Sequence, residues 1–331
     1  MTAAGRVLVL GGAGFIGYHL ARHLADEGAR TITLVDNLSR GRVDDDLADL
    51  LERPGIELVR ADLTDPIAWA SLGDAWDQVY MLAAVVGVRN VMSDPSRVID
   101  VNTRAVLNLV DWLTPRAGTV FFASTSEAYA GAVGGTLPVP TPEDVPLSIG
   151  AIENPRFAYA ASKILGEAAV IHGARARRVP YVVGRFHNVY GPRMGFDHVV
   201  PELSVRALAR EDPFKVYGLE QRRAFCYVTD AVEAMTRLMA TPKAAGQIVH
   251  IGNDAEEVPI ERVVDIVLRL AEFAPAIERR PAPAGSPSRR CPDISRLRAL
   301  TGFAPKIDLE SGVRQTFAWY RRHPAPDRST P

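Results

Sequence analysis

The sequence predicts an α/β fold in which a doubly wound parallel sheet is accompanied by a smaller α/β C-terminal domain. Three observations predict it: a β-rich run that leads straight into a glycine turn and a helix, apolar strands that alternate with helices over the first half, and short mixed elements over the second half. Alternating strands and helices favour a parallel sheet, and ligands bind beyond the carboxyl ends of its strands. Functional residues are therefore expected where the predicted strands end.

Composition sets the broad class. The 331 residues are 47% apolar and 23% charged with a net charge of −1, which indicates a globular protein without a general nucleic-acid or membrane-surface role. Cys226 and Cys291 are too few for a disulfide scaffold or a cysteine-rich zinc site, and no metal is expected. The N-terminus has no signal-peptide pattern, and no apolar run reaches the roughly 18 residues of a membrane span. We expect a cytoplasmic protein.

The first predicted strand, Arg6 to Leu10, is followed by the glycine turn GGAGFIG and by a helix that continues to Glu27. Strand, glycine turn and helix in this order are typical of a dinucleotide-binding (Rossmann) unit. The glycines let backbone N–H groups approach a pyrophosphate at the helix N-terminus, where the helix dipole favours negative charge. The candidate pyrophosphate-binding residues are Gly11, Gly14, Phe15, Ile16 and Gly17.

The second strand, Thr31 to Val35, ends in Asp36, whose carboxylate can hold both ribose hydroxyls of NAD and would repel a 2′-phosphate. The pattern favours NAD, although Arg40 and Arg42 follow and leave NADP open. The third and fourth strands, Ile56 to Val59 and Val79 to Ala83, end in residues suited to the adenine edge and to close cofactor approach. The further cofactor-binding candidates are Asn37, Asp62, Leu63, Leu82, Ala83, Ala84 and Asn102, although a buried Asn like Asn102 more often makes structural hydrogen bonds.

The fifth strand, Thr119 to Ala123, opens into Ser124, and the stretch YAASK from Tyr159 to Lys163 begins a helix. Tyr159 and Lys163 stand four residues apart and lie on one helical face, so the ammonium is expected to lower the pKa of the phenol. Such a tyrosine can accept a proton from a sugar or alcohol hydroxyl if a hydride acceptor lies beside it. Between these stretches, residues Gly131 to Arg156 are rich in Gly and Pro and predict an irregular loop over the site.

The second half mixes short elements. We predict a domain boundary near residue 180, with residues 1–180 binding the dinucleotide, segments 181–190 and 224–252 returning to that domain, and 191–331 mainly forming the substrate domain. The predicted strands are Tyr181 to Gly184, Phe214 to Tyr217, Ala224 to Val228 and Ile248 to Ile251. The predicted helices are Pro95 to Leu113, Val199 to Ala209, Asp230 to Met239, Ile260 to Ala271 and Leu309 to Tyr320.

With GGAGFIG, STSE, YAASK, RFHNVYGPRM and QRRAFCYVTD present in this order, the chain resembles the extended short-chain dehydrogenase/reductase family that modifies nucleotide-activated sugars. The resemblance covers nearly the whole chain. It implies an enzyme that holds NAD, oxidises a nucleotide-diphosphate sugar at C4 and usually returns the hydride after chemistry on the 4-keto sugar. It also implies a homodimer in which Pro95 to Leu113 and Ala158 to Ala174 of each subunit form a four-helix bundle.

The resemblance assigns roles residue by residue. It implies that Tyr159 removes the C4 hydroxyl proton, that Lys163 binds the nicotinamide ribose and holds the pKa of Tyr159 low, and that Thr125 bonds to the C4 oxygen. Ser124, Tyr159 and Lys163 also count among the cofactor-binding residues. The implied substrate-binding residues are Val86, Arg185, Asn188, Arg193, Val200, Arg223 and Arg290.

Glu127 separates the reactions of this family. A Glu at this point resembles the decarboxylases and dehydratases, in which a carboxylate near C5 can move a proton. The dehydratases place Asp just before it, where this chain has Ser126, and that difference weakens a 4,6-dehydratase reading. The stretches TSE, GPRM, IGN and RRCPDI resemble nucleotide-glucuronate decarboxylases, in which the arginine matching Arg290 faces the sugar carboxylate.

We therefore interpret the chain first as a decarboxylase of a UDP-hexuronate. Epimerisation at C4, or at C3 and C5, stays open because AAS and RFHN resemble epimerases, and dehydration is the third possibility. A non-catalytic NAD-binding sensor and a simple alcohol dehydrogenase that releases NADH are rivals from other classes. Intact Thr125, Tyr159 and Lys163 argue against the sensor, because a sensor needs only the glycine turn.

Overall fold

The computed structural model describes residues 5–132, 137–282 and 286–324. Its centre is a seven-stranded sheet in which all neighbouring strands are parallel, in the order β11, β6, β5, β4, β1, β2, β3. These strands are β1 (Arg6–Leu10), β2 (Thr31–Asp36), β3 (Ile56–Arg60), β4 (Gln78–Met81), β5 (Thr119–Thr125), β6 (Tyr181–Phe186) and β11 (Gln247–Ile251).

The central strands are continuous apolar runs because helices cover both faces of the sheet. Val7, Leu8, Val9 and Leu10 of β1 are all fully buried. Side chains of successive residues point to opposite faces, so Val7 and Val9 join one core cluster while Leu8 and Leu10 join the other. The two clusters fix which helices pack on which face.

Helices α3, α5 and α6 cover one face of the sheet, and α5 packs along α6. Helices α1 and α8 pack against each other on the other face, in the core that also extends into the C-terminal part. The helices of this half are α1 (Phe15–Asp26), α2 (Asp45–Leu51), α3 (Pro66–Ala70), α4 (Val88–Ser93), α5 (Pro95–Trp112) and α6 (Ala158–Arg177), with 3₁₀ turns at Ser126–Ala132 and Pro155–Phe157.

The described part of the second half adds three small sheets and five helices. Strand β10 pairs with β7, β12 and β14 flank β9, and β13 pairs with β8. The strands are β7 (Val189–Tyr190), β8 (Phe214–Tyr217), β9 (Arg222–Ala224), β10 (Cys226–Tyr227), β12 (Glu257–Pro259), β13 (Ile277–Arg280) and β14 (Arg289–Arg290). The helices are α7 (Val199–Leu208), α8 (Val228–Met239), α9 (Ile260–Leu270), α10 (Ser295–Thr301) and α11 (Leu309–Arg322), and a 3₁₀ turn covers Pro242–Ala244.

The predicted elements are present, with one revision. The strand expected from Ala224 to Val228 is divided into β9 and β10, which belong to different sheets, and Val228 already begins α8. Part of the Gly- and Pro-rich loop predicted from Gly131 to Arg156 lies outside the described residues. Strands β6 and β11 of the second half do belong to the central sheet.

Candidate active site

A cavity of about 1290 Å³ lies at the carboxyl ends of the central strands. It extends from the glycine turn after β1 to Tyr159 and Lys163 at the start of α6, and segments of the C-terminal part close it on the other side. The predicted residues on its wall are Gly11, Gly14, Phe15, Ile16, Gly17, Asp36, Asn37, Asp62, Leu63, Leu82, Ala83, Ala84, Val86, Ser124, Thr125, Glu127, Tyr159, Lys163, Asn188 and Arg193.

The glycine turn fits a dinucleotide pyrophosphate. Gly11 has φ +90°, and a Cβ there would lie 2.7 Å from the backbone nitrogen of Ala83, so only glycine permits this close approach. Helix α1 begins after Gly14 without a side-chain cap and without an acidic residue in its first turn. Its first N–H groups and the positive end of its dipole therefore face the cavity available to an anion.

Asp36 at the end of β2 is held by the glycine turn itself. Its carboxylate accepts hydrogen bonds from the N–H groups of Ala13 at 3.1 Å and Leu38 at 2.9 Å. Burial raises the pKa of Asp36, whereas these two backbone hydrogen bonds lower it. Each carboxylate oxygen of Asp36 can accept a further hydrogen bond from a hydroxyl of the adenine ribose. The glycine turn and Asp36 therefore fit the pyrophosphate and the adenine ribose of NAD.

Tyr159, Lys163 and Thr125 meet at the far end of the cavity. Nζ of Lys163 donates to the carbonyl of Ala123 at 2.8 Å and lies 5.8 Å from the centroid of the Tyr159 ring. Thr125, at the last position of β5, is hydrogen-bonded to the Tyr159 side chain. The strand end and the first turn of α6 thus place one hydroxyl, one phenol and one ammonium together.

The structure contradicts the prediction that the pKa of Tyr159 is lowered, because the pKa of this phenol is raised. Burial and the Glu127 carboxylate raise the pKa of Tyr159, while the bond from Thr125 and the charge of Arg40 lower it, and the pKa stays well above its usual value. Lys163 is not one of these causes, because its ammonium is itself buried and turned to the Ala123 carbonyl. Burial lowers the pKa of Lys163 to about 8, and the nearby Glu167 carboxylate opposes that shift.

Glu127 lines the cavity and forms an ion pair with Arg290, which is not one of the lining residues. Nη1 of Arg290 donates to Oε1 of Glu127 at 2.6 Å, and the two side chains are only 13% and 27% exposed. Burial raises the pKa of Glu127, but Arg290 and then Arg156 and Arg223 lower it more, so the pKa lies below its usual value. Glu127 is therefore a carboxylate at neutral pH. The acid paired with Arg290 is thus Glu127, the residue that the family resemblance singled out.

Arg185 is not at the cavity, contrary to the prediction that it binds substrate. Its guanidinium donates to both oxygens of Glu167 at 2.8 Å and to the carbonyl of Glu143 at 2.9 Å, and both side chains of the ion pair are 3% exposed. The guanidinium is held away from the cavity by Glu167 on α6, a helix that packs against β6. Arg185 is a buried structural residue beneath the site.

Five further predicted residues do not line the cavity: Val200, Asn102, Ser126, Arg223 and Arg290. Val200 is 1% exposed in the core under α7, where it can contact no substrate. Asn102 is used by the backbone of Val85, which donates to its Oδ1 at 2.7 Å, so it supports the cavity wall instead of touching a cofactor. Ser126 is 2% exposed and turned away from the cavity, which gives it no part in proton transfer.

Two predicted arginines are occupied by protein partners. Arg193 lines the cavity, but its guanidinium forms two bonds of 2.9 Å to Asp44 and lies over the ring of Tyr18. Arg223 donates to the carbonyl of Arg222 and to Gln221, while burial and the charge of Arg290 lower its pKa to about 10. Asn188 lines the cavity, and its Nδ2 donates to the carbonyl of Ala224, the residue after Arg223, at 3.1 Å.

Several lining residues were not predicted as site residues. Arg40, Asn154, Arg156, Trp319 and His323 all lie on the cavity wall. Asn154 and Arg156 end the loop predicted to cover the site, which is the one signal that pointed to them. Trp319 and His323 belong to the C-terminal helix, where an apolar helical pattern gives no sign of contact with a crevice built by the N-terminal half.

No group of three or more His, Cys, Asp or Glu side chains among the described residues is placed to hold a metal ion. Across residues 5–132, 137–282 and 286–324, no helix is both long and apolar enough to cross a membrane.

The sheet order, the glycine turn and the Tyr–Lys pair define a short-chain dehydrogenase/reductase of the extended type. A family model supports this class: the model of the NAD dependent epimerase/dehydratase family matches residues 7–252. The chain belongs to that family. Family membership confirms the predicted fold class, enzyme class and NAD dependence.

Similar proteins include decarboxylases and epimerases of nucleotide sugars. The chain is 32% identical to a UDP-N-acetyl-alpha-D-glucosaminuronate decarboxylase of Bacillus cytotoxicus, over 96% of this chain and 98% of the relative. It is also 32% identical to UDP-glucuronic acid decarboxylase 1 of Arabidopsis thaliana, over 96% of this chain and 70% of the relative. A UDP-glucose 4-epimerase structure from Thermotoga maritima superposes with a TM-score of 0.82 at 27% identity, covering 96% and 99% of the two chains.

Proposed function

We propose that the protein decarboxylates a UDP-hexuronate through C4 oxidation and a 4-keto intermediate. Glu127 carries this proposal, because it lies on the same cavity wall as Thr125 and Tyr159 and is ion-paired with Arg290. The named decarboxylase relatives support the same reaction. Glu127 offers a carboxylate near the ring carbon next to C4, and Arg290 would bind a sugar carboxylate only by sharing or releasing Glu127.

The first step is oxidation at C4. Gly11 to Gly17 and Asp36 would hold NAD, which when bound would accept the hydride from C4 and return it to that carbon after carbon dioxide has left. Tyr159, once it is a phenolate, would take the proton of the C4 hydroxyl; the charge of Arg40 and the hydrogen bond with Thr125 favour that form, while burial and Glu127 raise the pKa of the phenol and oppose it. Thr125 would hold the C4 oxygen by a hydrogen bond. Lys163 stays an ammonium below about pH 8 and can donate to a ribose hydroxyl.

The second step is loss of carbon dioxide. A ketone at C4 makes the hexuronate a β-keto acid, so the electron pair of the breaking bond between C5 and the carboxyl carbon passes into an enolate at C4. C5 then takes a proton that comes from water, and Glu127, a carboxylate on the cavity wall, would accept that proton and pass it to C5. Arg290 is paired with Glu127 and keeps it a carboxylate that can accept the proton.

The test is product analysis with purified protein. UDP-glucuronate and UDP-N-acetylglucosaminuronate are incubated separately, and the products are measured by mass spectrometry. Loss of one carbon dioxide from either substrate supports decarboxylation. An unchanged mass with altered ring stereochemistry shows epimerisation, loss of water shows dehydration, and accumulation of free NADH shows a simple dehydrogenase.

A Tyr159→Phe variant is the matched control for this test. An enzyme loses most of its turnover with this variant but still binds NAD, because the glycine turn and Asp36 are untouched. Equal behaviour of the variant and the wild type would indicate a non-catalytic NAD-binding protein. UDP affinity measured in both proteins reports separately on the nucleotide-sugar site.

We also propose a homodimer formed by α5 and α6. These helices pack along each other, and their outer faces carry Ile99, Leu107 and Leu165, each at least 45% exposed. Burying them against a second copy removes apolar surface from water. Light scattering should give twice the chain mass, and Leu107→Glu should shift it toward the monomer if this face is the interface.

We propose the cytoplasm as the compartment. Both thiols, Cys226 and Cys291, are unpaired and buried, which suits a reducing compartment. Cell fractionation tests this proposal.

We also propose two functional parts. Residues 1–180 with segments 181–190 and 224–252 would hold the cofactor, and residues 191–331 would mainly hold the sugar nucleotide. Limited proteolysis with and without NAD tests this division.

A further inference from the structure

Three buried aromatic side chains that the mechanism above does not use lie next to the Glu127–Arg290 pair. Tyr129, His187 and His250 are at most 2% exposed. The ring centroids of His187 and His250 are 4.6 Å apart, and that of Tyr129 is 6.0 Å and 5.9 Å from them. We call these three residues the ring cluster. Tyr129 follows Glu127 by two residues, and Glu127 binds Arg290 directly, so the cluster is joined to this ion pair through the 3₁₀ turn.

Each ring is attached to a different segment that carries a site residue. Tyr129 lies in the 3₁₀ turn two residues after Glu127. His187 immediately precedes Asn188, whose φ of +44° marks a sharp change of chain direction. His250 on β11 reaches the segment after Arg290, because its Nδ1–H donates to the carbonyl of Asp293 at 3.2 Å.

Hydrogen bonds join these segments through the cluster. Oη of Tyr129 and Nε2 of His187 are 2.6 Å apart. The backbone N–H of His187 donates to the carbonyl of Ile251 at 2.9 Å, and the N–H of His250 donates to Glu143 at 2.9 Å. The chain segments that hold Glu127, Asn188 and Arg290 therefore meet in one buried core that contains polar atoms.

The polar atoms of the cluster are costly to bury. Among the described residues, Nδ1 of His187 and Nε2 of His250 have no hydrogen-bond partner. When the Tyr129 hydroxyl donates to Nε2 of His187, these two atoms are one donor and one acceptor on adjacent rings. Burial lowers the pKa of His250 to about 3 and that of His187 well below its usual value, so both rings are neutral beside Arg185 and Arg290. Three apolar side chains would fill this space without the cost of burying unpaired polar atoms.

We propose that the ring cluster is a positioning element that holds Glu127, Asn188 and Arg290 in the arrangement needed for loss of carbon dioxide. This inference rests on the proposed function. Tyr129, His187 and His250 do not line the cavity, so they act through the residues they hold. Tyr159 and Lys163 lie on α6, a different element, and C4 oxidation should be independent of the cluster.

The experiment compares Tyr129→Phe, His187→Phe and the double variant with wild type in single turnovers of UDP-glucuronate. The absorbance of enzyme-bound reduced nicotinamide reports C4 oxidation, and carbon dioxide release reports the later step. We expect release to fall about tenfold in each single variant, as the loss of one hydrogen bond implies, while oxidation keeps its rate. The double variant should fall no further, because both substitutions remove the same bond.

Tyr80→Phe is the matched control. It removes a buried phenol bond, from Oη of Tyr80 to Gln78 at 2.9 Å, on a central strand away from the ring cluster. It should leave the ratio of release to oxidation unchanged. A proportional loss of oxidation and release in the Tyr129 and His187 variants, or additive effects in the double variant, would overturn the positioning role.

A second readout separates this inference from the proposed function. UDP affinity, measured by calorimetry, depends on Asn188 and needs no decarboxylation. Each single variant should weaken UDP binding by a similar factor. The double variant should weaken UDP binding by that factor and no more. If wild type releases no carbon dioxide, the proposed function fails while this measurement still decides the role of the cluster. Unchanged or additive UDP affinities would overturn it.

Discussion

Replacing Arg185 by Met should destabilise the protein without changing its substrate affinity. Arg185 and Glu167 are each 3% exposed and share two bonds of 2.8 Å. The variant leaves Glu167 with Ser124, whose hydroxyl donates to it at 2.5 Å, as its remaining hydrogen-bond partner among the described residues. Removing one member of a buried ion pair costs about 3–5 kcal/mol, because the other charge stays buried.

The expected thermal shift follows from the size of the chain. For 331 residues, an unfolding entropy of roughly 2.1 cal/mol/K per residue gives about 0.7 kcal/mol per degree. A loss of 3–5 kcal/mol therefore lowers Tm by about 4–7 °C. Circular dichroism melts measure this shift, and the double variant Arg185→Met with Glu167→Leu should recover most of it because no unpaired charge remains.

UDP affinity decides between the structural role and the role first predicted from the sequence. Arg185→Met should bind UDP within about threefold of wild type, a difference under 1 kcal/mol. An unchanged Tm together with a loss of UDP affinity of about tenfold or more would refute the reasoning, because it would make Arg185 a substrate ligand.

Three further variants test the cofactor half of the site. NAD affinity should fall as pH rises through about 8, because burial lowers the pKa of the Lys163 ammonium and it loses its proton there. A fluorescence titration of NAD measures this pH dependence, and Lys163→Met should abolish it. A flat wild-type profile would contradict the prediction. Asp36→Ala should weaken NAD binding by roughly tenfold and reduce the preference over NADP, since a ribose acceptor and a negative charge are both removed; an unchanged NAD-to-NADP ratio of dissociation constants would count against this. Gly17→Ala should prevent NAD binding, because its Cβ would collide with the carbonyl oxygen of Gly11. Gly246→Ala is the control: its Cβ meets nothing within 4 Å, and the backbone strain at its φ of +81° arises outside the cavity lining, so it should lower stability but bind NAD normally.

The sheet and the cofactor half of the site follow from local sequence. Strand β1 is observed with the predicted bounds, and Asp36 lies where a strand-end carboxylate was expected. Such features depend on residues close together in the chain: an apolar run, a glycine turn and a helix start. The positions of Tyr159 and Lys163 on one face of α6 follow from helical spacing in the same way.

The substrate half could not be predicted to the same degree, because its contacts join distant segments. Arg185 begins the motif RFHNVYGPRM, and the family resemblance implied that it binds substrate. Its partner Glu167 lies on α6, however, and the pair is buried between strand and helix. Val200 lies on the inner face of α7, which sequence alone did not distinguish from the cavity face. Glu127 and Arg290 lie 163 positions apart, and only the fold shows that they bind each other.

The pKa of Tyr159 shows the same limit. Spacing predicted that Lys163 would lower it, but spacing says nothing about where the ammonium points or how deeply both groups are buried. The structure turns Lys163 to the carbonyl of Ala123 and leaves Thr125 and Arg40 as the groups that lower the pKa of the phenol.

The most direct test of the central claim follows one turnover of UDP-glucuronate, labelled at the carboxyl carbon, in deuterated water. If C4 is oxidised with Tyr159 as the base and Glu127 relays a solvent proton to C5, labelled carbon dioxide is released and the pentose product carries one new deuterium at C5. Label retained in a nucleotide sugar of unchanged carbon count would contradict the account and make the cavity an epimerase or dehydratase site.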